Sequence, residues 1–129
     1  MIKIVQTRKP GRINVIAVDN KKIVGWIKIW TDMQSRFDWI IAVYIRPQYR
    51  GQGIFRMLMD KAKASTPNDL ALRVNPYKDH EGQDPTELTK KYQHVGFVKD
   101  PMKSPKNMYF IRPKKPQEIN PGGKSPYNI

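Results

Sequence analysis

The chain has 129 residues, one domain's worth, with room for a single hydrophobic core. Its 24 Lys+Arg against 11 Asp+Glu leave a net charge of +13, which points to an anionic partner: a phosphate-bearing ligand, nucleic acid or an acidic protein surface. The absence of cysteine excludes a disulfide scaffold, a Cys-ligated zinc site and a thiol nucleophile.

The first 45 residues read as strands. Ile2–Arg8, Arg12–Val18 and Lys22–Trp30 are rich in β-branched and aromatic residues, with turn signals at Lys9-Pro10-Gly11 and Asp19-Asn20 between them. Simple alternation in the third segment puts Val24, Trp26 and Trp30 on one face and Ile23, Ile27 and Ile29 on the other. Trp39–Ile45 is apolar at every position, as expected of a central strand covered on both sides. The pattern then changes to helical. After Gly51-Gln52-Gly53, Ile54, Leu58 and Ala62 recur at i, i+4 and i+8, and Ser65-Thr66-Pro67 ends the run.

Leu70–Val74 alternates as a short strand, and Asn75–Gln83 is polar and reads as a loop. Asp84-Pro85-Thr86-Glu87 is a strong helix start, with Asp as N-cap, Pro at the first position and Glu at the third. That helix runs to His94, carries Leu88, Tyr92 and Val95 on one stripe, and stops at Gly96. Phe97-Val98 and Met108–Ile111 are the expected closing strands, and residues 113–129, rich in Pro, Lys and Gly, read as a basic tail without a core.

Charge is unevenly spread. Residues 1–31 hold seven basic and one acidic side chain, and residues 99–129 hold seven basic and two acidic, whereas the middle 67 residues are nearly balanced. The longest apolar run, Trp39–Ile45, falls far short of the roughly 20 residues a membrane helix needs. The opening Met-Ile-Lys-Ile-Val lacks the layout of a signal peptide, so a soluble cytoplasmic protein is expected.

The segment that carries chemistry is strand, turn, helix: Ile40–Ile45, then Arg46-Pro-Gln-Tyr-Arg-Gly-Gln-Gly53, then the helix from Ile54. A glycine-punctuated turn at a helix N-terminus leaves backbone N–H groups and a helix dipole aimed at an anion. Gly51 and Gly53 let the backbone approach a phosphate, and Arg46, Arg50 and Arg56 supply charge around it. Two other phosphate motifs fail. Arg56 occupies the last glycine position of a dinucleotide fingerprint. Gly122-Gly123-Lys124-Ser125 has Glu118 where a Walker loop's first Gly belongs and Pro126 where its helix should begin.

Gln48-x-x-Gly51-x-Gly53, directly after a buried strand and before an amphipathic helix, resembles the acyl-CoA-binding motif of the GCN5-related N-acetyltransferases (GNAT), Q/R-x-x-G-x-G/A. Downstream, Tyr92-Gln-His-Val-Gly96-Phe97 is similar to the end of that family's late helix, Y-x-x-x-G-F. The resemblance covers residues 2–112 and implies an α/β (α+β) fold: a mixed, mostly antiparallel sheet with a splayed central strand pair and two main helices. It implies acetyl-CoA as co-substrate, lying between the buried strand and Leu70–Val74. Backbone groups of Val43 and Ile45 would pair with the pantetheine arm, and the turn formed by Gln48, Arg50, Gly51, Gln52, Gly53, Ile54, Phe55 and Arg56 would hold the pyrophosphate. A backbone N–H of the buried strand would stabilise the oxyanion. By the same resemblance, Tyr92 would take the position that protonates the departing thiolate. Asp38 leads the candidates for the base, followed by Asp32, His80 and Glu81, and a positioned water would also serve. His94 reads as a surface or packing residue.

The chain departs from the family pattern in three places. Lys9-Pro10-Gly11 joins the first two strands directly, without the usual intervening helices. Phe55 replaces a residue that is often small, and Pro85 stands where an Asn often precedes the late helix. The missing helices imply an acceptor side that is open to a macromolecule, an acidic protein or a nucleic acid, or closed by a second subunit as a homodimer. The competing reading is a non-catalytic nucleic-acid-binding or host-interaction protein, in which Lys and Arg with Trp26, Trp30, Tyr44 and Tyr49 supply phosphate contacts and stacking. The brevity of the chain is that of stripped-down family members such as phages and mobile elements encode.

Overall fold

The computed structural model describes residues 1–31, 36–74, 85–99 and 107–112. Four strands come first: β1 (Ile2–Lys9), β2 (Arg12–Asp19), β3 (Lys22–Trp30) and β4 (Phe37–Ile45). A single 3-10 turn, Pro47–Tyr49, leads into α1 (Ile54–Ala64), and then β5 (Asp69–Arg73), α2 (Pro85–His94), β6 (Val98–Lys99) and β7 (Asn107–Phe110) complete the described chain. The seven strands form one sheet in the order β1-β2-β3-β4-β5-β7-β6. Every neighbouring pair is antiparallel except β4 and β5. This is the mixed sheet expected above, and β1 and β2 pair without interruption from Ile2↔Asp19 to Lys9↔Arg12 with no helix between them. The proposed boundary between a domain and a tail at residue 113 lies outside the described residues.

The core gathers on one face of the sheet. Ile13, Val15, Ala17, Ile27, Ile29, Ile40, Leu70, Leu72 and Met108 meet Ile54, Leu58, Met59 and Ala62 of α1, all buried. Apolar residues four apart on α1 form the stripe that the sheet covers. The C-terminal end of α1 is capped by cations from distant segments. Arg8 donates to the Ser65 carbonyl, and Arg112 donates to the carbonyls of Lys63 and Thr66 at 2.5 and 2.6 Å. Part of the positive charge at the two chain ends is therefore structural. No described helix is long and apolar enough to cross a membrane.

Two bulges set side chains in places that simple alternation does not predict. Between β2 and β3 the register steps from Ala17↔Gly25 to Val18↔Ile23, leaving Val24 unpaired as an extra residue. The phase flips there. Val24 joins Ile27 and Ile29 in the core, while Ile23 is 45% exposed and shares the outer face with Trp26 and Trp30. Between β3 and β4 the register steps from Lys28↔Ala42 to Ile29↔Ile40, which makes Ile41 the extra residue. Among the described residues β4 is covered fully on one side only: Asp38 and Ile40 are buried on the side of α1, but Phe37, Trp39 and Tyr44 keep partial exposure.

Candidate functional site

Strands β4 and β5 pair over four residues, from Phe37↔Asp69 to Ile40↔Leu72, and then part. The bulge at Ile41 adds local twist to β4 just where pairing ceases. A cavity of ≈ 620 Å³ opens in the gap. Its floor is β4 from Trp39 to Ile45, with Leu72 and Arg73 of β5 opposite. The Arg46 amide donates to the Val24 carbonyl at 2.8 Å, so alternation along β4 turns the backbone groups of Val43 and Ile45 to the opposite edge, where β5 has left. Arg50 Nε donates to the Ile45 carbonyl at 2.9 Å, in keeping with that direction, and occupies that oxygen.

The far end of the cavity is closed by the glycine turn. Gly51 and Gly53 have φ of +79° and +82°, a conformation costly for any residue with a Cβ. Nothing lies within 4 Å of a Cβ built at either position, so their glycine character is set by backbone geometry and the space before them is open. Gly53 is the N-cap of α1 and offers no side-chain acceptor, and no acidic residue stands in the first turn. The N–H groups of the first turn thus stand at the cavity end and, among the described residues, have no carboxylate in the lining to satisfy them. Arg50 and Arg56 line the same end, and Arg50 lies over the Tyr44 ring at 5.8 Å.

Helix α2 supplies the remaining wall through Leu88, Lys91, Tyr92 and His94, with Val95 just beyond it. Tyr92 is 9% exposed, and its ring meets Phe55 of α1 edge to face at 5.7 Å and Phe97 at 6.1 Å. Its backbone carbonyl accepts from both Val95 and Phe97, which ends the helix with the ring held between two aromatic neighbours.

Of the residues singled out from sequence, the structure brings Val43, Ile45, Arg50, Gly51, Gly53, Ile54, Phe55, Arg56 and Tyr92 to one cavity. Others fall outside its lining. Gln48 is exposed, and Gln52 turns its amide back to the Gln48 carbonyl at 3.3 Å, bracing the turn. Arg46 points away, its Nε on the Ile23 carbonyl at 2.8 Å. Asp38 is 4% exposed, and its carboxylate accepts from Thr66 Oγ1 at 2.7 Å and from the Asn68 amide. Tyr49 lines the cavity, but its hydroxyl donates to Asp19 at 2.9 Å. That bond, aided by the N-terminal ammonium, holds Asp19 below its ordinary range and pushes Tyr49 up. Asp32, His80 and Glu81 lie outside the described residues.

Sequence reasoning passed over Trp39, Arg73, Lys91 and His94 as parts of the site. Lys91 and His94 flank the stripe of Leu88, Tyr92 and Val95 at helical spacing, a signal that was available. Arg73 was not to be found that way, because only the parting of β5 from β4 brings it to the cavity. The lining holds Arg50, Arg56, Arg73 and Lys91 and, among the described residues, no carboxylate.

The sequence model of the acetyltransferase (GNAT) family matches residues 3–78, more than half of the chain. Comparison with curated protein sequences gives no match. Solved structures share the fold. An acetyltransferase from Thermus thermophilus is 21% identical with a TM-score of 0.60, the match covering 82% of this chain and 66% of that one. The PaiA N-acetyltransferase of Thermoplasma acidophilum, solved with coenzyme A, is 16% identical with a TM-score of 0.56, over 77% of this chain and 59% of that one. A Bacillus anthracis protein named for streptothricin acetylation, solved with acetyl coenzyme A, is 20% identical with a TM-score of 0.60, over 80% and 64%. The chain thus spans roughly three-fifths to two-thirds of the length of these structures.

Proposed function

The chain belongs to the GNAT family of acetyltransferases, and we propose that it transfers an acetyl group from acetyl-CoA to an amine carried by a macromolecule. The observation that carries this reading is the cavity between the parting strands, closed at one end by the glycine turn of α1. Its lining is mostly apolar, the charged residues in it are cationic, and the two glycines leave open space before a row of N–H groups. Those features suit a slender co-substrate with a phosphate-bearing end.

Acetyl-CoA supplies an activated acyl thioester: the amine nitrogen bonds to the acyl carbon, the carbon–sulfur bond breaks, and the thiolate departs. The chain's residues take the other roles. The N–H groups of the glycine turn and the first turn of α1, with Arg50 and Arg56, hold the pyrophosphate. Val43 offers its backbone groups to the pantetheine arm at the open edge of β4, and a β4 N–H steadies the oxyanion. Tyr92 gives its hydroxyl proton to the departing sulfur. In support of that role, its ring is buried in the cavity wall and locked by Phe55 and Phe97. Asp38 in this reading is structural, because its carboxylate is taken up by Thr66 and Asn68. A water receives the proton the amine loses.

Two features favour a macromolecular acceptor over a small free amine. A free ammonium ion finds no carboxylate in the described lining. The direct β1–β2 hairpin also provides no helix to wall the acceptor side. The test is incubation of the pure protein with labelled acetyl-CoA and a cell lysate. Label in protein or nucleic acid is expected; label confined to small amines would refute the macromolecular acceptor, and no transfer at all would refute the activity.

A further inference from the structure

The outer face of the sheet, turned away from α1, has a composition of its own. Cross-strand pairing sorts its side chains into rows. One row runs Val5, Ile16, Trp26, Tyr44; the next runs Thr7, Asn14, Lys28, Ala42; a third runs Lys9, Arg12, Trp30, Trp39. All three tryptophans of the protein stand on this face, in two aromatic rows with Lys28 between them. Trp26 and Trp30 are about 13 Å apart along the strand. Trp26 and Tyr44 are in contact, tilted by 36° with ring centroids 4.9 Å apart. The face is not buried: Trp30 is 41% exposed, Val5 44% and Ile23 45%, and Lys28, Arg12 and Lys9 are exposed.

Across β1–β4 its charge, among the described residues, has one sign; Asp69 of β5, which stands beside Phe37 on the same face, is held by Arg36 at 2.7 Å. Lys3, Lys9, Arg12 and Lys28 project from the face, whereas the acidic residues of β2 and β4, Asp19 and Asp38, lie on the opposite side with the core. A second copy of the chain would meet like charge here and be repelled. An exposed Trp30 and half-buried Trp26, Trp39 and Tyr44, alternating with lysine and arginine, suit bases that stack and phosphates that pair. An acidic peptide would satisfy the cations but leave the rings without flat partners. The face also runs into the cavity, because Trp39 and Tyr44 belong to both.

We infer that the outer face of β1–β4 binds a single-stranded nucleic acid and that this strand brings the accepting amine to the Trp39 end of the cavity. The second half rests on the acyl-transfer reading above; the first half does not. Binding is read by quenching of tryptophan fluorescence, since every indole lies on the face. The probe is a mixed-sequence single-stranded RNA of about 16 nucleotides, the upper end of the site sizes of single-strand-binding modules. Its duplex and a poly-glutamate of similar charge serve as competitors. The titration is run without acetyl-CoA and beside a separate calorimetric titration with acetyl-CoA.

The single strand is expected to quench and to bind more weakly as salt rises. Trp30→Ala is expected to weaken it about tenfold. Lys28→Glu, an exposed change outside the cavity, is expected to weaken it and flatten the salt dependence. Failure of the single strand to bind, equal displacement by poly-glutamate or the duplex, or unchanged affinity in folded Lys28→Glu would overturn the inference. Acetyl-CoA binding without strand binding would sink this inference alone, whereas strand binding without acetyl-CoA binding would sink the acyl-transfer reading and leave the face a binding surface.

Discussion

Phe55, in the first turn of α1, and Tyr92, in the last turn of α2, meet edge to face with ring centroids 5.7 Å apart. The contact ties the glycine turn to the hydroxyl assigned to the departing thiolate. The large side chain at position 55, a departure from the family's small residue, therefore has a use: it buttresses Tyr92. Tyr92→Phe keeps this packing and removes only the hydroxyl. It is expected to lower kcat by about a hundredfold, with acetyl-CoA affinity and melting temperature close to wild type. An unchanged rate across the pH range would remove Tyr92 from the chemistry.

Phe55→Ala should act on the same hydroxyl indirectly. Loss of the edge-to-face partner is expected to cost about 0.5–1.5 kcal/mol beyond the lost burial and to reduce kcat more than it raises the acetyl-CoA KM. Steady-state kinetics with thermal melts checks this; a variant defective only in KM would show that Phe55 serves the pyrophosphate turn alone.

Asp38 separates two roles cleanly. Asp38→Ala leaves the buried Thr66 hydroxyl without its 2.7 Å acceptor, and a loss of about 1–3 kcal/mol is expected in urea unfolding. Asp38→Asn retains an acceptor oxygen and should keep kcat within a few-fold. A stable Asp38→Asn protein with a hundredfold loss of kcat would restore Asp38 as the base.

Gly25 bears on the integrity of the site from behind. A Cβ there would meet the Tyr44 carbonyl at 2.9 Å, a backbone atom with nowhere to go. Gly25→Ala is expected to press β3 from β4 and to destabilise the fold by about 1–3 kcal/mol. A variant as stable as wild type in denaturant would show that the two strands yield at low cost.

Acid should weaken the fold at two carboxylates. Asp19 is held low by the Tyr49 hydroxyl and the N-terminal ammonium. Burial pushes Asp69 up, but the Arg112 amide and the Arg36 guanidinium, 2.7 Å away, outweigh it, so it too lies low. A carboxyl lowered in the folded state contributes stability above its unfolded pKa of about 4 and loses it as pH falls through the folded value. Tyr49→Phe removes the largest cause at Asp19. The melting-temperature gap between wild type and Tyr49→Phe should therefore be open at neutral pH and close below about pH 4. A gap independent of pH would show that the hydroxyl acts on packing rather than on the charge of Asp19.

Much of the framework was legible in the residues. Lys22–Trp30 and the helix from Pro85 to His94 have the expected bounds, because β-branched alternation and a strong N-cap signal are local properties. The bulges at Val24 and Ile41 were not legible: each depends on how a neighbouring strand is registered, and nothing within its own segment announces it. The same reason hid Arg73, and it reversed the faces of Ile23 and Val24. Arg46 was expected near the phosphate from proximity in sequence alone, and a backbone carbonyl of β3 claims it instead. Gly51 and Gly53 were readable because positive φ is a demand that sequence expresses directly.

Calorimetric titration of the pure protein with acetyl-CoA tests the central claim most directly. One saturable site per chain is predicted, with affinity reduced about tenfold in Gly53→Ala, where a Cβ at φ +82° costs about 1–2 kcal/mol or displaces the turn. No heat of binding from the folded wild-type protein at millimolar acetyl-CoA would contradict it.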